Sequence, residues 1–118
     1  MDATKKVLIV DDEEKIREMY IRMFVEAGFI VRWAADGQAA INVLIREKID
    51  LVLLDIKMPE VDGKTMFEVI REYDPDMKII VSSVYPIERQ KQLIPNAKDY
   101  YDKSQGLNTL LEKVLSTV

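Results

Sequence analysis

Along the chain, short continuous apolar runs alternate with longer segments in which apolar residues recur every three or four positions. Val7-Leu8-Ile9-Val10, Leu51-Val52-Leu53-Leu54 and Ile79-Ile80-Val81 are runs of the kind that form strands buried on both faces. Ile16, Met19, Tyr20, Met23, Phe24 and Ala27 step at helical spacing, and Gly28 follows as a stop. The same spacing predicts helices around Ile41, Leu44 and Ile45, around Met66, Val69, Ile70 and Tyr73, and from Leu107 through Leu110, Leu111, Val114 and Leu115 to Val118. Ile30-Val31-Arg32-Trp33-Ala34 carries a charge and Asp99-Tyr100-Tyr101-Asp102 is polar at both ends, so these two strands belong at sheet edges. Between Ser83 and Lys103 a helix has only Ile87, Leu93 and Ile94 as apolar anchors, with Pro86 before it and Pro95 after; it is expected to be short or mobile.

Strand and helix alternating five times predict an α/β chain, a single doubly wound (βα)5 domain of flavodoxin-like order spanning residues 1–118. With the first, third and fourth strands central, the parallel sheet has the order 2-1-3-4-5 and helices on both faces. The binding crevice of such a sheet lies at the carboxyl ends of strands 1 and 3, where the winding direction switches.

Composition narrows the chemistry available in that crevice. The 118 residues include 17 Lys and Arg against 21 Asp and Glu, a net charge of −4, and neither His nor Cys. Thiolate nucleophiles, disulfides, zinc-cysteine frameworks and the commonest general base are thereby excluded. The acidic balance argues against direct nucleic-acid binding, which draws on clustered Lys and Arg. Neither a signal-peptide pattern at the N-terminus nor an apolar run of membrane-spanning length is present, so a cytoplasmic protein without membrane insertion is expected.

Strand 1 ends at Asp11-Asp12, strand 3 at Asp55, strand 4 at Ser83 and strand 5 at Lys103, which brings three carboxylates, a hydroxyl and an ammonium to one rim. Singly, each has an ordinary structural reading. Asp11 or Asp12 can cap the following helix, with Glu14 completing a capping box; Asp55 can be a turn residue, Ser83 a satisfied hydroxyl and Lys103 a solvated charge. Together they point to a cation, because converging carboxylates repel one another. Oxygen-only ligands select a hard ion, and Mg²⁺ suits a site with few protein ligands completed by water and phosphate. A phosphoryl group would find partners in the cation, the Lys103 ammonium and the Ser83 hydroxyl.

The motifs Val7-Leu8-Ile9-Val10-Asp11-Asp12-Glu13, Leu53-Leu54-Asp55-Ile56-Lys57-Met58-Pro59-Glu60-Val61-Asp62-Gly63, Ile80-Val81-Ser82-Ser83 and Lys103 resemble, in order and spacing, the receiver domain of bacterial response regulators. The resemblance covers essentially the whole chain. It implies that Asp55 is the phosphoacceptor, charged by a sensor histidine kinase or a histidine phosphotransfer protein, and that a downstream protein reads the result. It further implies Mg²⁺ or Mn²⁺ held by Asp12 and Asp55, by Asp11 mainly through water, and by the Lys57 backbone carbonyl, with Lys103 and Ser83 on the phosphoryl oxygens. Phosphatases of the haloacid-dehalogenase type also use a strand-end Asp with Mg²⁺, but they need a second Asp two residues on as general acid. Lys57 occupies that place, which favours phosphoryl acceptance over turnover. The chain is thus expected to be a self-assisting phosphoacceptor rather than an enzyme; the alternatives are a phosphorylation-independent interaction module or the receiver piece of a DNA-binding regulator.

By the same resemblance, Tyr100, three residues before Lys103, is the aromatic that turns inward on phosphorylation. Lys57 and Tyr85 flank the path of attacking water and are expected to prolong the phosphoryl lifetime. Three positions depart from the family: Val84 replaces a small residue after Ser83, Pro95-Asn96-Ala97 replaces the usual glycine before strand 5, and Ser104 replaces a cis proline. A non-proline cis bond costs about 2.5 to 4 kcal/mol, so a trans 103–104 bond with a rebuilt loop is expected. Pro59 and Gly63 are read as turn residues, Gly63 for its freedom to adopt positive φ, and Trp33 and the methionines as packing residues.

Overall fold

The three apolar runs form the centre of a five-stranded parallel sheet in the computed structural model, which describes residues 4–56 and 63–118. In chain order the elements are β1 Lys6–Val10, α1 Glu14–Glu26, β2 Ile30–Ala34, α2 Gly37–Arg46, β3 Leu51–Asp55, α3 Gly63–Tyr73, β4 Lys78–Ser83, α4 Ile87–Leu93, β5 Asp99–Asp102 and α5 Leu107–Thr117. The strand order is β2-β1-β3-β4-β5, as the hydrophobic pattern predicts.

Alternation along each strand divides the core into two layers. Leu8, Val10, Val52, Leu54, Ile79 and Val81 face α2 and α3, where Leu44, Met66 and Ile70 meet them. Val7, Ile9, Leu51, Leu53 and Ile80 face α1 and α5, which contribute Tyr20, Phe24, Leu110 and Val114. The central strands bury both rows, and this is why their sequences are apolar at every position.

Several local expectations change. The inward stripe of α1 is Arg17, Tyr20 and Phe24, whereas Met19 is 44% exposed. Glu13 stands at the N-cap of α1 with no side-chain cap, so the capping box that Asp11 and Glu14 could have formed is not made. The helix ends as the sequence suggests: Gly28 takes φ +95°, and the amides of Gly28 and Phe29 donate to the carbonyls of Val25 and Phe24 at 3.0 Å. Gly63 has no positive φ; it is required by close approach, since a Cβ there would lie 2.1 Å from the Ile56 Cα. Helix α4 is a short element of seven residues. No cis peptide bond occurs among the described residues, so the 103–104 bond is trans, and the loop is rebuilt around Asp102, whose carboxylate accepts from the Ser104 amide at 2.8 Å. Trp33 is 52% exposed, and its packing partner is the Arg17 guanidinium, 4.4 Å above the ring centroid. Lys57 and the Met58–Asp62 turn lie outside the described residues.

Candidate functional site

At the carboxyl edge of the sheet, Asp11 and Asp12 follow the apolar run of β1 directly and Asp55 ends β3. Asp11 is buried and directed into the crevice. Its Oδ1 accepts the Glu13 amide at 2.9 Å, and Arg17 Nη1 donates to the Asp11 carbonyl at 2.9 Å. Asp55, also buried, ends β3, while Asp12 is exposed and open to solvent. Carboxylate oxygens of Asp11, Asp12 and Asp55 all lie within 4.8 Å of one another.

Lys103, just beyond β5, reaches across the end of β4 into this cluster. Its Nζ is 2.9 Å from Asp11 Oδ2 and 3.3 Å from Asp55 Oδ2. Burial by itself lowers the Lys103 pKa, but the hydrogen bond to Asp11 and the charges of Asp55 and Asp11 outweigh it and hold the value above that of a free lysine. One ammonium against three carboxylates leaves the cluster net negative. An all-oxygen set of this spacing, two members buried and one exposed to solvent, fits a hard divalent cation that keeps part of its water shell.

Of the two hydroxyls at the end of β4, Ser82 lies beside Asp55 and Ser83 does not. Ser82 is the register partner of Asp55 and follows Ile80 on the face that also holds Tyr101 and the α1 layer. Ser83 alternates onto the opposite face, behind Val81, where its Oγ accepts the Tyr85 amide at 3.1 Å. Ser82 Oγ is buried and, among the described residues, has no hydrogen-bond partner. The residue that follows Ser82 is the small Ser83. The alternation running back from Ile80 is the signal in the sequence that distinguishes the two serines.

Three further residues support the site. Tyr20 of α1 is 3% exposed, and its phenol neighbours Ser82, Lys103, Tyr101 and Asp11; burial, only partly offset by Ser82 and Lys103, pushes its pKa up to about 12. In the sequence it counts only as an apolar step. Gln90 of α4 is fully buried, and its Nε2 donates to the carbonyls of Tyr85 at 2.8 Å and Tyr101 at 2.9 Å, joining the β4–α4 loop to β5. Tyr100 is 5% exposed, with its hydroxyl donating to the Ile94 carbonyl and accepting the Ala97 amide at 3.2 Å. The stretch that replaces the usual glycine thus holds the Tyr100 ring inward. Tyr85 packs in part against the α2 and α3 layer.

The model of the response regulator receiver domain matches residues 7–115. The chain is 32% identical over 111 residues to the response regulator MprA of Mycolicibacterium vanbaalenii, covering 92% of this chain and 48% of that protein. It is 35% identical over 81 residues to sporulation initiation phosphotransferase F of Bacillus subtilis, covering 69% of this chain and 65% of that protein. The chain therefore spans about half to two-thirds of the length of these relatives. Among solved structures, the response regulator TrrA of Thermotoga maritima in complex with Mg²⁺ and BeF superposes with a TM-score of 0.89 at 34% identity, covering 98% of this chain and all of that one.

Proposed function

The chain belongs to the response regulator receiver domain family of two-component signalling, and from that premise we propose that residues 1–118 act as one receiver domain that accepts a phosphoryl group on Asp55. The observation that carries this reading is the place of Asp55: buried at the end of a central strand, paired with Lys103, and within 4.8 Å of the Asp11 and Asp12 oxygens. The donor is a phosphohistidine on a sensor kinase or a phosphotransfer protein, since this chain has no histidine.

In the transfer, an Asp55 carboxylate oxygen forms the new bond to phosphorus while the bond from phosphorus to the donor imidazole nitrogen breaks. The electron pair leaves on that nitrogen, and because the other nitrogen of the donor ring carries a proton, the ring departs as neutral imidazole, a good leaving group that needs no general acid from the acceptor. Lys103 keeps its contact with Asp11 and turns the contact now made with Asp55 toward a phosphoryl oxygen. Ser82, in register with Asp55, donates its hydroxyl to another. Asp12 and Asp55, and Asp11 mainly through water, would hold Mg²⁺, or Mn²⁺ in its place, and the Lys57 carbonyl, outside the described residues, would be a further ligand. When bound, the cation supplies positive charge that neutralises the transferred group.

Output passes by protein contact through the surface of α4, β5 and α5, where Tyr100 and Gln90 tie the loops around α4 to the end of the sheet. Lys57, two residues after Asp55 in sequence, lies outside the described residues and is assigned one flank of the path to the phosphoryl group by that spacing alone. With Ser82 as the site hydroxyl, the position two residues beyond it is Val84 rather than Tyr85, and Val84 is 58% exposed. Among the described residues no helix is long and apolar enough to cross a membrane.

Incubation with Mg²⁺ and acetyl phosphate followed by intact-mass measurement tests the proposal. A single phosphoryl adduct is expected on the parent chain and none on Asp55→Ala. No adduct on the parent, or an equal adduct on Asp55→Ala, overturns it and leaves the interaction-module reading.

A further inference from the structure

Tyr20 is a buried titratable side chain that the phosphoacceptor reading above does not use. It lies on the inward stripe of α1, one turn beyond Arg17, so the helix that follows the acidic turn carries a phenol back beneath the cluster. Its polar neighbours are few, and all but one are committed elsewhere. The Tyr101 hydroxyl donates to the Gln105 carbonyl at 2.7 Å. The Lys103 ammonium is held by Asp11 and Asp55, and the Asp11 carboxylate in turn accepts from Lys103 and from the Glu13 amide. Ser82 Oγ remains: it is buried with no hydrogen-bond partner among the described residues, and it neighbours the Tyr20 phenol.

A serine hydroxyl has one proton and two lone pairs. If Ser82 gives its proton to a phosphoryl oxygen on Asp55, its oxygen becomes a buried acceptor in need of a donor. Burial keeps the phenol protonated throughout the neutral range, so it can be that donor. Linked hydroxyls polarise one another, so each bond strengthens the next.

We propose that Tyr20 is a positioning residue for Ser82: its phenol donates to Ser82 Oγ while Ser82 donates to the phosphoryl oxygen on Asp55. This inference rests on the assignment of Asp55 as phosphoacceptor. It makes the first helix a working part of the site, through a side chain that shape alone would allow to be phenylalanine.

The test is a double-mutant cycle with Mg²⁺ and acetyl phosphate, following the initial rate of adduct formation by intact mass. Tyr20→Phe removes one oxygen and keeps the ring, and is expected to slow labelling roughly three- to tenfold, the effect of one net hydrogen bond. In the Ser82→Ala background the same substitution is expected to leave the rate unchanged. An equal slowing in both backgrounds shows that the phenol acts on packing and overturns the proposal, as does an unchanged rate for Tyr20→Phe alone. A second measurement needs no substitution at Tyr20. The ¹³Cζ resonance of its ring is expected to shift when beryllofluoride and Mg²⁺ are added to the parent, and to stay put in Ser82→Ala; a resonance that stays put in the parent overturns the proposal. Labelling of the parent separates the two readings. If the parent takes no phosphoryl group, both fall; if it labels at the same rate as Tyr20→Phe, only this one does.

Discussion

Replacing Lys103 with methionine keeps the approximate length of the side chain and removes the ammonium placed between Asp11 and Asp55. The two ion pairs it makes there are at 2.9 and 3.3 Å, and the three groups are nearly withdrawn from solvent, with side-chain exposures of 10% for Lys103 and 2% and 4% for the carboxylates. At an effective dielectric of about 20, unit charges at those separations attract by about 6 and about 5 kcal/mol. Desolvation of the ammonium offsets most of this, and removing one partner of a buried pair costs about 3 to 5 kcal/mol in practice. Repulsion acts in the same direction: the Asp11 and Asp55 oxygens, within 4.8 Å, no longer have a cation between them. Urea unfolding at pH 7 in the presence of a chelator is therefore expected to show Lys103→Met about 3 kcal/mol less stable than the parent. Mg²⁺ should restore more stability to the variant than it adds to the parent, because the cation then enters a site with no competing ammonium. In the parent the gain is about 2.7 kcal/mol at a hundredfold excess over Kd. A variant within about 0.5 kcal/mol of the parent in chelator, or one that gains no more from Mg²⁺ than the parent does, would refute the electrostatic account.

Tyr20 and Lys103 both have folded-state pKa values above their ordinary ones, so the stability they contribute is complete below about pH 10 and is lost as the pH rises through the folded values. Tyr20→Phe removes the tyrosine share, and alkaline unfolding in chelator should lose about 2 kcal/mol less between about pH 10 and 12; an unchanged alkaline slope counts against the buried phenol. Tyr100→Phe leaves the Ile94 carbonyl and the Ala97 amide without their shared hydroxyl and should cost about 1 to 2 kcal/mol in urea unfolding, with an unchanged midpoint indicating that the hydroxyl is idle. Gln90→Leu breaks the bonds to the Tyr85 and Tyr101 carbonyls, and hydrogen exchange should show α4 amides losing protection while those of β1 and β3 keep theirs; uniform protection argues against a local role. Gly63→Ala places a Cβ against the Ile56 backbone and should destabilise the chain, although alanine normally favours a helix over glycine by about 1 kcal/mol; thermal unfolding will show which effect wins.

The sheet is legible in the sequence because its central strands are apolar on both faces, a pattern that admits few other placements for Val7–Val10, Leu51–Leu54 and Ile79–Val81. Asp11, Asp55 and Lys103 are legible for a related reason: polar residues that end buried strands have nowhere to go but the rim. Proximity to the strand end does not decide between Ser82 and Ser83, since both serines lie there. The choice depends on which face each occupies, and that is fixed by the pairing of Asp55 with Ser82 across two strands. Composition and spacing permit Asp11 to be a helix cap; in the fold its Oδ2 is held by Lys103, ninety-two residues away in sequence. Gln90 and Tyr20 leave no local signal because their importance lies in burial. A glutamine in a weak helix and a tyrosine in an apolar stripe become significant only when their polar atoms are enclosed. Gly63 is required by a close approach between segments rather than by positive φ, and such an approach also leaves no local mark in sequence.

The stack of Arg17 on Trp33 gives this chain an optical reporter of its own. Trp33 is the single tryptophan, its ring lies on the protein surface under the guanidinium, and the same guanidinium donates to the carbonyl of Asp11. A shift of Asp11 as its carboxylate takes a cation moves the charge above the indole, and indole emission responds to charge at that distance. Titration with Mg²⁺ should change the tryptophan fluorescence of the parent, and Arg17→Ala should abolish the change while leaving the carboxylates in place. The occupancy of the acidic site can then be followed in the unlabelled protein.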